Sequence, residues 1–385
     1  MSAVTARKLD SLTSLRFFAA AFVLVGHWGN VIHPFSRLHR LLEGSYLGVS
    51  FFFVLSGFVL TWSHRPGDTA RGFYWRRFAR IWPLYMVTLV LSLGVLELER
   101  TGLQLSHGLP SLIFVQAFVP SLAVMYFGNG LAWSLSCEAF FYALFPVLRA
   151  RLSRYSIRCL QLIAIAAVIA QICMIALAHV VMTAGPLRDN YLYVNPLLRV
   201  YEFAVGVALA LAVRRGWRPT ISPRVAFGVL VAGVVGVSIP NHALPSHIGG
   251  LVALPGIVLV IASCATRELE GTPVRLLTHR LLVRLGVWSF ALYMTHQLLL
   301  RALVADYGRY RLESVPQSIA YPAFLVVAVA VAGIFSTFVE QPMERFLRRR
   351  VARGRTVSTA DELTPAAPAR DDRPGVFVVS PQALP

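Results

Sequence analysis

Residues 12–32 read LTSLRFFAAAFVLVGHWGNVI. Two ionisable side chains, Arg16 and His27, interrupt an otherwise apolar run, and no proline breaks it. At about 1.5 Å of rise per residue, a helix of this length crosses a hydrocarbon core of roughly 30 Å. In lipid a segment must satisfy its own backbone groups, which selects helix over open strand. Nine further blocks share this character, at 46–63, 81–98, 131–148, 158–182, 194–213, 224–240, 249–266, 284–304 and 316–338. The pattern predicts an all-α integral membrane protein of about ten transmembrane helices. The first run has no small-residue cleavage site after it, so it reads as a helix and not as a signal peptide.

Composition agrees. Of 385 residues, 56% are hydrophobic and 14% charged, where a soluble domain has about 25% charged. The formal charge of +18 would suit nucleic acid or anionic lipid, but its distribution points to topology. With the N-terminus cytoplasmic, the inside segments hold two basic residues before position 9, five in 64–80, four each in 149–158, 214–224 and 267–284, and eight after 343. The outside loops hold six: Arg37, Arg40, Arg100, Arg188, Arg309 and Arg311. That excess fits the positive-inside rule with both termini cytoplasmic, and no nucleic-acid partner is expected. Residues 108–127 are apolar but carry Pro110 and Pro120. Counted as a further span they would put most of the inside charge outside, so they read as re-entrant or surface-lying.

The membrane domain is expected over 1–345. Residues 346–385 read as a basic and then disordered cytoplasmic tail, and the basic run Arg345, Arg348, Arg349 and Arg350 at its start reads as an anchor near anionic lipid. The basic residues are 35 Arg and the single Lys8, a bias of GC-rich bacterial genomes that suggests a bacterial plasma membrane. Cys137, Cys159, Cys173 and Cys264 have no zinc-like spacing and read as small hydrophobes. No fixed-period repeat is visible, and no inverted pair of broken helices of the kind transporters show.

Ionisable residues inside a span are costly and usually functional. Eleven residues separate Arg16 from His27, which returns the helix to within about 20° of the same face, roughly 16 Å higher. The alternative is a snorkelling Arg and an interfacial His beside Trp28. Glu138, in Trp133-Ser134-Leu135-Ser136-Cys137-Glu138, falls near the depth of His27 if its helix starts at the outer surface. A buried carboxylate needs a partner and a basic His needs an orienter, so the two are expected to pair; otherwise Glu138 meets backbone or water. Arg77 and Arg80 share a helix face at i, i+3 and suit phosphate, unless they are topological charge alone. Arg199 and Glu202 form a second i, i+3 pair, either an intrahelical ion pair or part of the pocket. His296 sits mid-span between Thr295 and Gln297, as a site residue or a hydrogen-bonded core residue. Trp133 and Ser134 are further pocket candidates. His33, His39, His107, His242 and His247 fall in outer loops, and His64 and His279 in cytoplasmic ones. No serine stands in a GxSxG elbow, no His/Glu set has metal spacing, and no glycine-rich loop opens a nucleotide domain.

Five stretches, in order, resemble the acyltransferase-3 family of membrane O-acyltransferases, which includes bacterial O-acetylases of surface polysaccharide. Leu12 through Arg16 to His27 resembles its Arg-ten residues-His motif. Tyr46 to Phe58 resembles its second-helix signature, with Ser50 where the family often has Asp. Arg77-Phe78-Ala79-Arg80 matches its Arg-x-x-Arg, and Trp133 to Glu138 its Trp-Ser-Leu-x-x-Glu. Glu340-Gln341-Pro342 resembles the short Glu-x-Pro after its last helix. The resemblance spans about 12–345 and implies a short, single-domain member without a fused soluble domain.

It also implies transfer of an acyl group, acetyl or another short chain, from acyl-CoA to a hydroxyl. The acceptor would be a sugar, on a cell-envelope glycan or on a glycosylated secondary metabolite such as a macrolide antibiotic. On this reading His27 is the base, with Glu138 as its orienter. Arg16, Arg77 and Arg80 bind the acyl-CoA phosphates, and acyl-CoA is a co-substrate with no permanently bound cofactor or metal. The rival reading is a transporter or flippase of a lipid-linked or glycosylated substrate, which would not release CoA thiol.

Overall fold

The computed structural model describes residues 8–32, 42–65, 67–100, 104–238 and 245–349. The positions His33, Arg37, His39, Arg40 and His242, and the tail from 350, lie outside them. Among the described residues there is no strand, and ten helices of sixteen residues or more carry the fold. They are α1 (Asp10–Ile32), α2 (Leu47–Ser63), α3 (Ala70–Leu98), α4 (Trp133–Leu152), α5 (Ile157–Val181), α6 (Pro196–Arg214), α7 (Pro223–Ser238), α8 (Ser246–Leu269), α9 (Arg280–Tyr307) and α10 (Gln317–Phe335). Seven of them are long and apolar enough to cross a membrane by length and composition; α4, α7 and α9 are not. The α7 helix has 16 residues. The α4 and α9 helices hold Ser134, Ser136 and Glu138, and Thr295, His296 and Gln297.

Two helices extend past their expected ends. The basic stretch before Ile81 is not a loop: α3 begins at Ala70, where the Thr69 side chain accepts from the Gly72 N–H at 3.2 Å, and it runs on through Pro83. The ring of Pro83 crowds the carbonyl four residues back, and that residue is the small, buried Ala79. At the other end, Glu340-Gln341-Pro342 does not follow the last helix but lies within it. A wide π turn at Ser336–Glu340 precedes Pro342, and the helix continues to Arg349. Proline has no N–H to give the preceding turn, and a wide turn absorbs that loss.

Helix directions follow from which residues meet. Along α1 and α9 the contacts advance together, from Thr13 against Gly286 to His27 against His296, so these helices are parallel. Along α2 and α6 they also advance together: Ser50 meets Arg199, Val54 meets Gly206, and Thr61 meets Arg214. Against α3 the order reverses. Phe73 stacks on Phe145 while Arg80 shares a cavity with Glu138, so α3 and α4 are antiparallel. A full crossing between α3 and α4 would have made them parallel. The segment between them is therefore re-entrant, built of short turns at Leu105–Leu112, Gln116–Phe118 and Leu122–Met125.

Its outer turns expose Leu105, Leu109 and Ile113, while Gln116, Ala117, Met125 and Asn129 are fully buried. The buried polar groups are matched to backbone. Gln116 Nε2 donates to the Ala132 carbonyl (3.0 Å), Asn129 Nδ2 to that of Met294 (2.9 Å), and Ser136 Oγ to that of Phe114 (2.5 Å). Irregular backbone at membrane depth needs this kind of closure. Arg301 holds the segment from the side, with a two-pronged pair to Glu99 (2.8 and 2.6 Å) and a bond to the Gly128 carbonyl. In consequence α4 starts inside the protein, with Leu131, Ala132 and Trp133 all buried.

The segments that the charge distribution assigns to one side do gather at one end. Arg214 bonds the carbonyls of Thr61 and His64, and Arg215 those of Ser153 and Tyr155. Arg76 pairs with Asp68, Arg218 with Glu270, and the Trp75 indole bonds the Leu347 carbonyl.

Candidate active site

A small cavity of about 110 Å³ lies among the helices. It has room for a few waters or the narrow part of a longer ligand, since whole small-molecule pockets run to roughly 300–1,000 Å³. Arg16 from α1, Ser56 from α2, Arg77 and Arg80 from α3, Glu138 and Tyr142 from α4, and Phe290 from α9 line it. Tyr142 lies one helical turn after Glu138 and donates to its Oε2 at 2.9 Å. Arg80 bridges Glu340 (2.5 Å) and Glu344 (3.1 Å) on the α10 extension, and its guanidinium lies over the Phe290 ring at 5.7 Å. Arg16 and Arg77 make no ion pair among the described residues, and Arg77 Nε is buried without a hydrogen-bond partner. Glu138 and Glu340 lie within electrostatic reach of Arg16. Two guanidiniums with spare donors, beside a third held by carboxylates, suit a phosphorylated anion.

His27 lies higher on α1. Its Nδ1 is 2.9 Å from the Val23 carbonyl of its own helix and 3.4 Å from His296 Nε2. Its Nε2 makes no hydrogen bond among the described residues, and the ring is only partly buried. His296 is wholly buried, with Nδ1 2.9 Å from the Leu292 carbonyl. A close backbone approach permits this: a Cβ at Gly286 would strike the Thr13 carbonyl.

The expected His27–Glu138 pair does not form. Helix α9 serves as a ruler, because its Phe290 lines the arginine cavity while its His296 touches His27. Six residues of helix put the two levels about 9 Å apart. Glu138 would match His27 only if α4 began at the outer surface. The re-entrant segment starts α4 inside instead, so Glu138 falls to the level of Arg16.

Between the levels, Trp133 packs at 4.9 Å on the ring of Tyr193 and 6.2 Å on that of Phe53. Ser134 donates to the Leu131 carbonyl, and Tyr293 lies 6.2 Å from the His296 ring. Arg199 and Glu202 pair at 3.1 Å, nearly without exposure. Arg199 also donates to Ser50 Oγ (3.0 Å) and sits over the rings of Phe53 and Tyr193, while Tyr201 donates to Glu202. This cluster ties α6 to α2, where backbones pass so closely that a Cβ at Gly206 or Gly57 would strike a carbonyl. Tyr142 and Glu344 went unpredicted, although Tyr142 carries a signal in its i, i+4 spacing from Glu138.

Among the described residues no group of three His, Cys, Asp or Glu could hold a metal ion. A larger groove of about 610 Å³ lies between α5, α6 and α8. Its walls are apolar apart from Arg158 and Gln161, and no residue of either level lines it.

Comparison with known proteins identifies the family. The sequence model of the acyltransferase-3 family, described as an acyltransferase domain, matches residues 9–337. Acyltransferase MdmB of Streptomyces mycarofaciens is 33% identical over 393 residues, covering 95% of this chain and 97% of that protein. Nodulation protein 10 of Rhizobium leguminosarum bv. viciae is 26% identical, covering 89% and 95%. The putative membrane-bound transacylase BcsY of Komagataeibacter xylinus is 30% identical, covering 74% and 71%. No solved structure matches. The match over most of the chain, on a frame of apolar helices, means that this protein belongs to the acyltransferase-3 family of membrane acyltransferases.

Proposed function

We propose that the protein moves an acetyl or other short acyl group from acyl-CoA to a sugar hydroxyl, with His27 as general base. The observation that carries this is the His27 ring, tied through Nδ1 to the Val23 carbonyl with Nε2 unbonded, on the same helix face as Arg16. The acceptor hydroxyl gives its proton to His27 Nε2 as its oxygen attacks the thioester carbonyl. The C–O bond forms, the C–S bond breaks, and the leaving thiolate takes the proton back from Nε2. Such proton transfer contributes roughly 10²–10⁴-fold. Arg16, Arg77 and Arg80 hold the nucleotide phosphates from the cytoplasmic side. An extended arm then climbs the roughly 9 Å between the two levels before its thioester reaches His27, and holding donor and acceptor together supplies much of the remaining rate. Glu138 and Tyr142 serve the arginines, not the histidine.

The setting we propose is a bacterial plasma membrane, crossed ten times with both termini cytoplasmic. Alternating helix directions and the one-sided Arg excess support that count. The acceptor is a cell-envelope glycan or a glycosylated secondary metabolite such as a macrolide. Mass spectrometry of both fractions, with and without the gene, identifies it by one lost acyl mass.

His27→Ala is expected to abolish acyl transfer while the protein still inserts and still binds CoA. Retained activity in this variant removes His27 as the base.

A further inference from the structure

Hydrogen bonding fixes what each ring of the His27–His296 contact can do. Backbone carbonyls only accept. His27 Nδ1 faces the Val23 carbonyl and His296 Nδ1 faces the Leu292 carbonyl, each at 2.9 Å, so both Nδ1 atoms carry the hydrogen. In a neutral His296 the Nε2 atom is then a bare lone pair, and it lies 3.4 Å from His27 Nδ1. The single N–H of His27 is thus shared between a carbonyl below it and the His296 lone pair beside it.

We propose that His296 is the positioning residue for His27. It accepts from His27 Nδ1–H, fixes the plane of the ring so that Nε2 faces the reacting hydroxyl, and stabilises the positive charge on His27 when Nε2 takes the proton. This rests on His27 being the base. His296 stays neutral throughout, and the proton passes only between acceptor oxygen, His27 Nε2 and departing thiolate.

The surroundings of His296 are built to hold it still. Asn129 from the re-entrant segment bonds the Met294 carbonyl at 2.9 Å, two residues before it. Tyr293 Oη lies 3.5 Å from the Leu131 carbonyl. Gly286 lets α9 lie against α1. The titratable side chains facing His296 are His27 from α1 and Tyr293 from its own helix. Glu138, the residue the sequence suggests for this task, is not among them.

The test compares His296→Gln, His296→Asn and His296→Leu in the full chain in membranes. Radiolabelled acetyl-CoA is the donor, with propionyl-CoA beside it, and label entering the glycan and small-molecule fractions is measured. A glutamine oxygen can stand where Nε2 stands; asparagine is too short and leucine has no acceptor. Leu and Asn are expected to lower kcat roughly 10–100-fold, by analogy with the loss of a partner that orients a metal-bound His, with KM for acetyl-CoA unchanged. Gln should stay within about threefold of wild type on the same scale. The His27 ring-nitrogen NMR signal should move in the Leu variant and return in the Gln variant.

Wild-type kcat in the Leu variant overturns the proposal, as does an equal loss in all three variants when each extracts as folded protein. His27→Ala is run alongside. If it stays active, the base assignment fails; if it is inactive while His296→Leu is fully active, only the His296 assignment fails.

Discussion

Tyr142 and Glu138 show how the arginine cavity is held together. The phenol donates a hydrogen bond to one carboxylate oxygen at 2.9 Å, and the carboxylate faces Arg16, Arg77 and Arg80 across the cavity. A hydrogen bond to a charged group contributes about 1.5–3 kcal/mol. Tyr142→Phe is therefore expected to raise KM for acyl-CoA about tenfold and to leave kcat nearly unchanged, because the residue does not reach His27. Steady-state kinetics at varied acyl-CoA check this; a loss confined to kcat would put Tyr142 at the reacting atoms instead. Arg77→Lys should act in the same direction, since a point charge does not replace a fork with spare donors. The gathering of Arg77 and Arg80 was legible from their i, i+3 spacing, and the shared face of Arg16 and His27 from helical phase. Both are local properties of one helix. The partner of Glu138 was not legible, because it depends on where α4 starts, and residues 104–132 decide that through contacts distant in sequence.

Among the helices, α1 is the one whose position decides the chemistry, and two devices set it. The Glu268 carboxylate, nearly buried at the end of α8, accepts from the Asp10 and Ser11 N–H groups at 2.7 and 2.9 Å, capping α1 from a neighbour. Negative charge at a helix start also favours the dipole. Higher up, Gly286 lets α9 lie on the Thr13 carbonyl. Gly286→Ala forces these helices apart at a cost of about 1–3 kcal/mol, typical of overpacking, and should separate His27 from His296. Gly94, on α3, has nothing near its missing Cβ, so Gly94→Ala should be neutral or stabilising by up to about 1 kcal/mol. Thermal unfolding in detergent and acyl transfer, measured on both, test the contrast. Equal behaviour of the two variants would mean that the α1–α9 approach is not tight. The existence of each long helix was legible in its apolar block, but the ends were not. A Thr69 cap and an internal Pro83 carry α3 eleven residues upstream of its apolar start, from Ile81 back to Ala70.

For the whole molecule, the number of crossings is what joins the charge pattern to the chemistry. Arg151 closes α4 at the Arg-rich end, beside the Ser153 and Tyr155 carbonyls that Arg215 holds. Arg309 follows α9 at the far end. Five helices, α5 to α9, lie between them, so the two residues are on opposite sides only if an odd number of those helices cross. The doubtful member is α7, whose 16 residues reach about 24 Å against a core of roughly 30 Å. It packs antiparallel on α8, with Gly233 against Ala253 and Leu230 against Gly256, and the Ser238 hydroxyl accepts from the Gly44 N–H beside α2. These contacts run it alongside α8, and a crossing by so short a helix would call for local thinning of the bilayer. With the four native cysteines replaced, a cysteine at the exposed position 151 should react with a membrane-impermeant maleimide only after the cells are opened, and one at 309 in intact cells. Labelling of both from one side would remove one crossing and place the arginine cavity and the base on a different frame. Labelling of 151 alone in intact cells would turn the molecule over and put Arg16, Arg77 and Arg80 out of reach of cytoplasmic acyl-CoA.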